Sequence, residues 1–388
     1  MLEYQLILGV FVMKVMKSRL YLPLPLDNGS LFLVDDDLTP QKEELESLLG
    51  TINNMNNKDF SKRVLFGQEI KSNNTIEGYN DDISLVKSVI KHPTSCLNEE
   101  QRKRILNMYR GYKYILQDKC INKDNLRELY NILSDGLLSK GDLENMGEYY
   151  RLDPVYIFYS AILSKEPDMG IDASILEERM NILLEYLNSK NNFSCMTDYF
   201  IRSQIAHFYF VYLHPYYDIN GRTARTTAMW YLINKEAYPY IIFNRAIQLD
   251  KNTYYTVIRD GRRFHNVTYF LNYMLKNTLI ELEKEYTMEM ITDNAMYELT
   301  DGEIQTLYYI LSMKSNLTYF DFCSFYNHLN SHKKPTDIKK EVILPLLEKG
   351  IILEGRKSKN DDNNFFTLNP KLVSIEEKNK HLSLEQKI

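Results

Sequence analysis

Apolar residues recur three and four positions apart over most of this chain, a spacing that predicts helices. From Leu38 to about Lys91 the pattern is helical, with polar breaks at the Asn-rich NNMNNKD stretch between Ile52 and Phe60 and again at Ser72 to Asn74. His92 and Pro93 mark a boundary before two core helices, Asn98 to Leu116 and Asn122 to Leu138. Gly147 to Tyr159 changes character: β-branched and aromatic residues alternate around Pro154, which predicts extended chain and a short hairpin. Helical spacing resumes at Ala173 to Leu187 and at Asp198 to Leu213, where Ile201, Ile205, Phe208 and Tyr212 form one apolar stripe. A further helical block ends near Glu285, and the acidic, polar Thr287 to Glu298 reads as a linker. Three more helices follow (Leu299 to Leu311, Tyr319 to Leu329, Thr336 to Lys349), then apolar strands Ile351 to Glu354 and Asn364 to Leu368 around a polar tip, the winged-helix order. The fold class is therefore mainly α, divided into an N-terminal helical region (1–95), a central domain (96–286), a linker (287–298), a winged-helix-like domain (299–375) and a polar tail (376–388).

Composition supports this reading. In 388 residues there are only 15 glycines and 11 prolines against 30 tyrosines, which favours long helices over a turn-rich sandwich or barrel. Hydrophobic residues at 44%, charged residues at 26% and a net charge of −5 describe an ordinary globular chain, excluding disordered and fibrous classes. The four cysteines, Cys96, Cys120, Cys195 and Cys323, are widely spaced without C-x-x-C pairs, as expected of reduced thiols in a cytoplasmic protein. The apolar run Leu6 to Met13 follows Glu3 rather than a basic segment and is far short of the ~20 residues that cross a bilayer, so neither a signal peptide nor a membrane span is expected. Met13 and Met16 are alternative starts.

One segment concentrates chemistry. His214 to Arg225 reads HPYYDINGRTAR and places a base, an acid, an amide and two guanidiniums together. Pro215 ends the preceding helix and a new periodic run begins near Asn220, so the motif is helix, loop, helix. The start of the second helix offers unpaired N–H groups and a positive dipole end, an anion site, with Asn220-Gly221 allowing close backbone approach. Arg222 and Arg225 lie three apart on that first turn, where planar guanidiniums suit a polyphosphate. Asp218 is a hard carboxylate placed to hold magnesium beside phosphate oxygens, and His214 is the group able to take a proton at neutral pH. Taken singly, each residue has a plain reading as a cap, a turn or a solvated charge; their coincidence within twelve positions is what points to a site.

These residues resemble the signature of the Fic family (filamentation induced by cyclic AMP), His-Pro-Phe-x-Asp/Glu-Gly-Asn-Gly-Arg-x-x-Arg. Ala206, His207 and the element order from about Asn98 to Lys276 extend the resemblance over roughly half of the chain. It implies adenylyl transfer from ATP with Mg2+ to a tyrosine, threonine or serine hydroxyl of a target protein. By the same resemblance His214 is the base, Asp218 holds the metal, Asn220 orients phosphates, and Gly221, Arg222 and Arg225 complete the anion hole. The related Doc toxins carry lysine where Gly221 stands and transfer a phosphoryl group, so Gly221 favours AMP transfer. Tyr216 replaces phenylalanine and keeps the aromatic anchor; Ile219 replaces a glycine, which makes a positive φ there costly. Ile157, Phe158 and Tyr159 resemble the flap that docks the target segment, preceded by Gly147-Glu148-Tyr149-Tyr150-Arg151, one residue longer than the usual Gly-x-Tyr-Arg. Tyr254 and Tyr255 resemble the pair lining the adenine pocket, although Arg262 stands where an asparagine is common.

Upstream, Ser72 to Gly78 (SNNTIEG) resembles the inhibitory pattern Ser/Thr-x-x-x-Glu-Gly/Asn, which implies that Glu77 pairs with Arg225 and withholds it from the γ-phosphate. Asn73 occupies the Ser/Thr position, with Ser72 beside it. Between Lys333 and Lys359 eight basic and four acidic residues give an excess that suits contact with DNA or with a protein partner. Family members self-associate, which leaves a homodimer open. Two further readings stand beside adenylyl transfer: a Fic enzyme with another donor or one that removes AMP, kept open by Ile219, and a DNA-binding regulator that senses nucleotide.

Overall fold

The computed structural model describes residues 4–7, 10–13, 19–35, 38–51, 67–94, 98–158, 167–190, 193, 195–294, 299–313, 317–329, 334–356 and 364–373. By internal contacts the chain divides into Met1–Ile280 and Glu281–Ile388.

The first unit opens with strands, where the sequence reading expected a helical region. β1 (Tyr4–Ile7) pairs antiparallel with β2 (Val10–Met13), and β3 (Arg19–Pro25) with β4 (Leu31–Asp35). The missed signal is the alternation of buried Leu22, Leu24 and Leu26, followed by the Asp27-Asn28-Gly29-Ser30 turn, where Gly29 adopts φ +81°. This second hairpin is tied to the helical core. Phe32 packs edge-on against Phe208 and Tyr212, Tyr209 donates to the Pro25 carbonyl at 2.8 Å, and Leu33 exchanges backbone hydrogen bonds with His265 and Val267.

Helices follow: α1 (Thr39–Thr51), α2 (Gln68–Ile76), α3 (Ile83–Lys91), α4 (Glu99–Ile115) and α5 (Lys123–Ser134). Asn98 and Asn122 cap α4 and α5 by accepting from the backbone N–H three residues on. α5 stops at Ser134, short of Leu138, because Gly136 turns the chain with φ +64°. The expected polar break at Ser72 to Asn74 is helix instead. All three side chains are buried in α2, where Asn73 and Asn74 find polar partners that offset their low helix propensity. The NNMNNKD stretch lies outside the described residues.

A short hairpin forms, but only its first strand, β5 (Tyr156–Ile157), lies in the stretch around Pro154; its partner β6 (Asp168–Met169) comes after it. α6 (Leu176–Asn188) leads to α7 (Met196–Leu213) and α8 (Asn220–Asn234), which are buried on almost every face and form the centre of the unit. Trp230 of α8 is fully buried and donates to the Lys119 carbonyl at 3.1 Å. α9 (Phe243–Leu249), α10 (Lys251–Phe264) and α11 (Thr268–Asn294) complete the series. α11 runs on through the start of the expected linker, since 287–294 contains neither glycine nor proline to stop it; 295–298 lie outside the described residues.

The second unit adds a short strand between the first two of the expected helices. α12 (Asp301–Met313) is preceded by a reciprocal Thr300–Glu303 capping pair, β7 (Leu317–Thr318) leads into α13 (Tyr319–Leu329), and α14 (Pro335–Ile338) continues through a π-helical turn at Lys339–Ile343 before Pro345. β8 (Ile352–Arg356) and β9 (Asn364–Leu368) close a sheet of order β7-β9-β8 over a core of Leu307, Phe322, Ile343, Leu346 and Phe366. The whole is mainly α with small antiparallel sheets, and among the described residues no helix is long and apolar enough to cross a membrane.

α2 is fixed to α9 by Glu69 and Arg245, 3.0 Å apart, with Glu69 wholly buried. Removing one partner of a buried pair leaves the other charge uncompensated. Glu69→Gln is therefore expected to destabilise the first unit by about 3 kcal/mol. Urea denaturation followed by the fluorescence of Trp230, the single tryptophan, checks this.

Candidate active site

The motif loop is held in an unusual backbone. α7 ends at Leu213 as Pro215 requires, and His214 takes left-handed geometry with φ 52°. Ile219, the last residue before α8, does the same with φ 64° and ψ 10°, a conformation that costs a β-branched residue about 1–2 kcal/mol. The glycine usual at this position would avoid that strain; here the Ile219 side chain, 2% exposed, contributes burial instead.

Several contacts hold the loop. The Asn220 amide accepts from Tyr216 N–H at 3.0 Å and donates to its carbonyl at 2.8 Å, so in this conformation it orients the loop itself. Tyr216 stacks on Tyr130 with centroids 3.6 Å apart, which makes it the aromatic anchor expected of that position. Arg151, buried, donates to the carbonyls of His214 at 2.8 Å, Asp153 at 2.7 Å and Ile171 at 2.6 Å, joining the motif loop to the segments that flank the β5–β6 hairpin. Arg262 donates to the Tyr212 carbonyl at 2.9 Å and to that of Met169 in β6. Neither arginine has a role legible in the sequence, because the carbonyls they bind are brought to them only by folding.

The imidazole of His214 is set for proton acceptance. Its Nδ1 faces the Val211 carbonyl at 3.4 Å, and because a carbonyl can only accept, Nδ1 carries the proton and Nε2 keeps its lone pair. Burial, aided by the nearby charges of Arg262 and Arg151, pushes its pKa down to about 4, against the opposing pull of Glu77 and the Val211 carbonyl. The ring is thus neutral at physiological pH.

At the N-terminus of α8 lie the two motif arginines. Nε and Nη1 of Arg222 are buried without a hydrogen-bond partner, leaving guanidinium donors unspent at the helix start. Arg225, also buried, is engaged: its Nη2 donates to the Glu77 carboxylate and, at 2.8 Å, to Asn73 Oδ1. Burial raises the pKa of Glu77, but Arg225 and Arg222 outweigh it and hold the carboxyl below its usual range. Gly221 makes room for this pair, since a Cβ there would come within 2.7 Å of Glu77 Oε1. A carboxylate therefore sits where the helix start would take an anion.

Asp218 is exposed, with Oδ1 accepting from Ile219 N–H at 2.6 Å. Among the described residues no group of three or more His, Cys, Asp or Glu side chains could enclose a metal. A lone carboxylate beside an anion site fits magnesium that brings its own phosphate oxygens and waters.

The remaining expected residues are dispersed. Ile157 is buried in β5 while Phe158 is 75% exposed beside it, and Tyr159 lies outside the described residues. Tyr254 is in the core, hydrogen-bonded to His207 Nε2 at 3.0 Å and close to Arg225. Tyr255 reaches the end of α2 instead, donating to the Ile76 carbonyl at 2.8 Å.

Residues 121–232 match the model of the Fic/DOC family. No curated protein matches the chain. Among solved structures, a Fic family protein from Desulfovibrio desulfuricans G20 is similar at 18% identity and a TM-score of 0.55, over 85% of this chain and 95% of that one. Fic-1 from C. elegans, in a structure of its residues 134 to 508, is similar at 16% identity and a TM-score of 0.51, over 66% of this chain and 74% of that one. At these identities the likeness is one of fold.

Because the folded chain refuses a proton at His214 until about pH 4 while an unfolded histidine accepts one near 6.5, stability is lost as pH falls through that window. Between about pH 7 and pH 5 the His214 contribution is expected to fall by roughly 1–2 kcal/mol. Urea midpoints of the parent and of His214→Asn at the two pH values check this: the parent should lose more.

Proposed function

We propose that this chain, which carries a domain of the Fic family, is a self-inhibited protein adenylyltransferase that moves AMP from ATP to a tyrosine, threonine or serine hydroxyl of a target protein. The observation that carries the reading is the pair of buried arginines at the start of α8, Arg222 unpartnered and Arg225 held by Glu77.

Nε2 of neutral His214 takes the proton of the target hydroxyl, and the oxygen attacks the α-phosphorus of ATP in line. The bond from the α-phosphorus to the bridging oxygen breaks and pyrophosphate leaves, giving an AMP ester on the target. Arg222, Arg225 once released, and the N–H groups of α8 bind the polyphosphate and the charge that moves onto the leaving group. Magnesium, held through Asp218, would neutralise phosphate charge. Gly221, in place of the lysine of Doc toxins, supports AMP transfer over phosphoryl transfer. The β5–β6 hairpin docks the target as an added strand, a mode that tolerates varied sequences because it uses backbone hydrogen bonds.

Glu77 is the inhibitor. An arginine committed to a carboxylate cannot also clamp phosphate, so the Glu77–Arg225 pair supports an off state with the outer phosphates excluded. A second reading, another donor or removal of AMP, is favoured by Ile219, whose side chain lies buried at the start of the anion site where the family has glycine.

Incubation with magnesium, lysate and ATP labelled at the α- or γ-phosphate tests the proposal. Label is expected from the α-position alone, raised at least about tenfold in Glu77→Gly and reduced by roughly 10²–10⁴ in His214→Ala. Label from the γ-position would mean phosphoryl transfer, and none from either would leave the second reading.

A further inference from the structure

The last carbonyls of a helix have no partner within it, and those of α2 are the carbonyls from which Glu77 hangs. Gly78 N–H caps the Thr75 carbonyl at 3.1 Å, and α10 adds two further contacts to this end. Tyr255 Oη donates to the Ile76 carbonyl at 2.8 Å, and Lys251 Nζ donates to the Thr75 carbonyl at 3.2 Å. Both contacts fall on the turn that aims the Glu77 carboxylate at Arg225. The start of α2 is anchored separately by Glu69 and Arg245, and Gly78, with φ +92°, leaves the helix immediately after Glu77. The last turn of α2 thus has supports of its own, separate from the anchor at the start of the helix. A carboxylate at a helix C-terminus is also disfavoured by the dipole, which the Lys251 ammonium beside Thr75 offsets.

We infer that Tyr255 and Lys251 form a latch that positions Glu77: α10 holds the end of α2 through two backbone carbonyls, and breaking either contact loosens the Glu77–Arg225 pair. This rests on the reading of Glu77 as inhibitor. It gives Tyr255 a positioning role through the inhibitory segment, distinct from the adenine contact that its place in the sequence implies. It also makes α10 the element through which a ligand or a partner would reach the switch, since moving the Tyr255 hydroxyl removes a support of Glu77.

Tyr255→Phe removes one oxygen, and Lys251→Met removes one charge from a partly exposed side chain; each is made in the parent and in the Glu77→Gly chain. Two quantities are measured: the affinity for Mg-ATP relative to AMP by calorimetry, and amide hydrogen exchange over residues 72–79. In the parent each variant is expected to raise the ATP preference about fivefold, the worth of one hydrogen bond, and to speed exchange at 76–79. In Glu77→Gly the same substitutions should change the ATP preference by a clearly smaller factor, because no carboxylate remains to be positioned. Equal factors in the two backgrounds would place Tyr255 directly on the nucleotide and overturn the latch, as would unchanged exchange in the parent variants. Neither measurement requires catalysis. If no variant transfers AMP and the affinity pattern holds, the latch stands without the transferase; if transfer is confirmed and the pattern is absent, the latch alone fails.

Discussion

A guanidinium removed from water must be matched by charge and hydrogen bonds, and Arg225 is the buried guanidinium around which the first unit is assembled. Glu77 supplies the opposite charge from the end of α2, and Asn73, one turn earlier on the same helix, supplies a carbonyl oxygen. Asn73 is held in turn by the Tyr112 hydroxyl of α4, while Tyr254 of α10 lies behind the arginine with His207 of α7 behind it. Four helices distant in sequence thus converge on one side chain. This explains why α2 tolerates Asn73 in its buried face, where an apolar residue would leave the arginine short of an acceptor; Asn74 beside it donates instead to Asp81.

The same constraint sets the character of the site. At the start of α8, Arg225 Nη2 is taken by Glu77 and Asn73, while Nε of Arg225 and both Nε and Nη1 of Arg222 are buried without a hydrogen-bond partner. The loop that presents it is strained at both ends, with His214 and Ile219 in left-handed geometry, and is held by the Asn220 amide, the Tyr130–Tyr216 stack and the three carbonyl contacts of Arg151. Contacts of this kind keep the imidazole Nε2 and the helix start in fixed relation.

Particular elements were legible for local reasons. Pro215 ended α7 and the periodicity from Asn220 opened α8, so the helix, loop, helix frame of the motif followed from residues adjacent in the chain. The β3–β4 hairpin was written in alternating leucines and an Asp-Asn-Gly-Ser turn, and was passed over because helical spacing begins so soon after it. Ser72 to Asn74 misled for the opposite reason: a polar run is a break only when no buried partner waits for it. Arg151 and Arg262 carry structural roles that depend on carbonyls brought to them by folding, and a sequence does not reveal which carbonyls those are.

The local chemistry of the chain dictated the helices, the loop and the residue types of the anion site, because proline, glycine and apolar period act over a few residues. Only folding decided which partners those residues meet. Glu77 and Arg225 are 148 positions apart, and Tyr255 and Ile76 are 179 apart; pairs at such separations are created by helix packing and by the cost of leaving buried polar groups unmatched, which no local pattern encodes. Resemblance to a family pattern anticipated the first pair. The second was set by geometry alone.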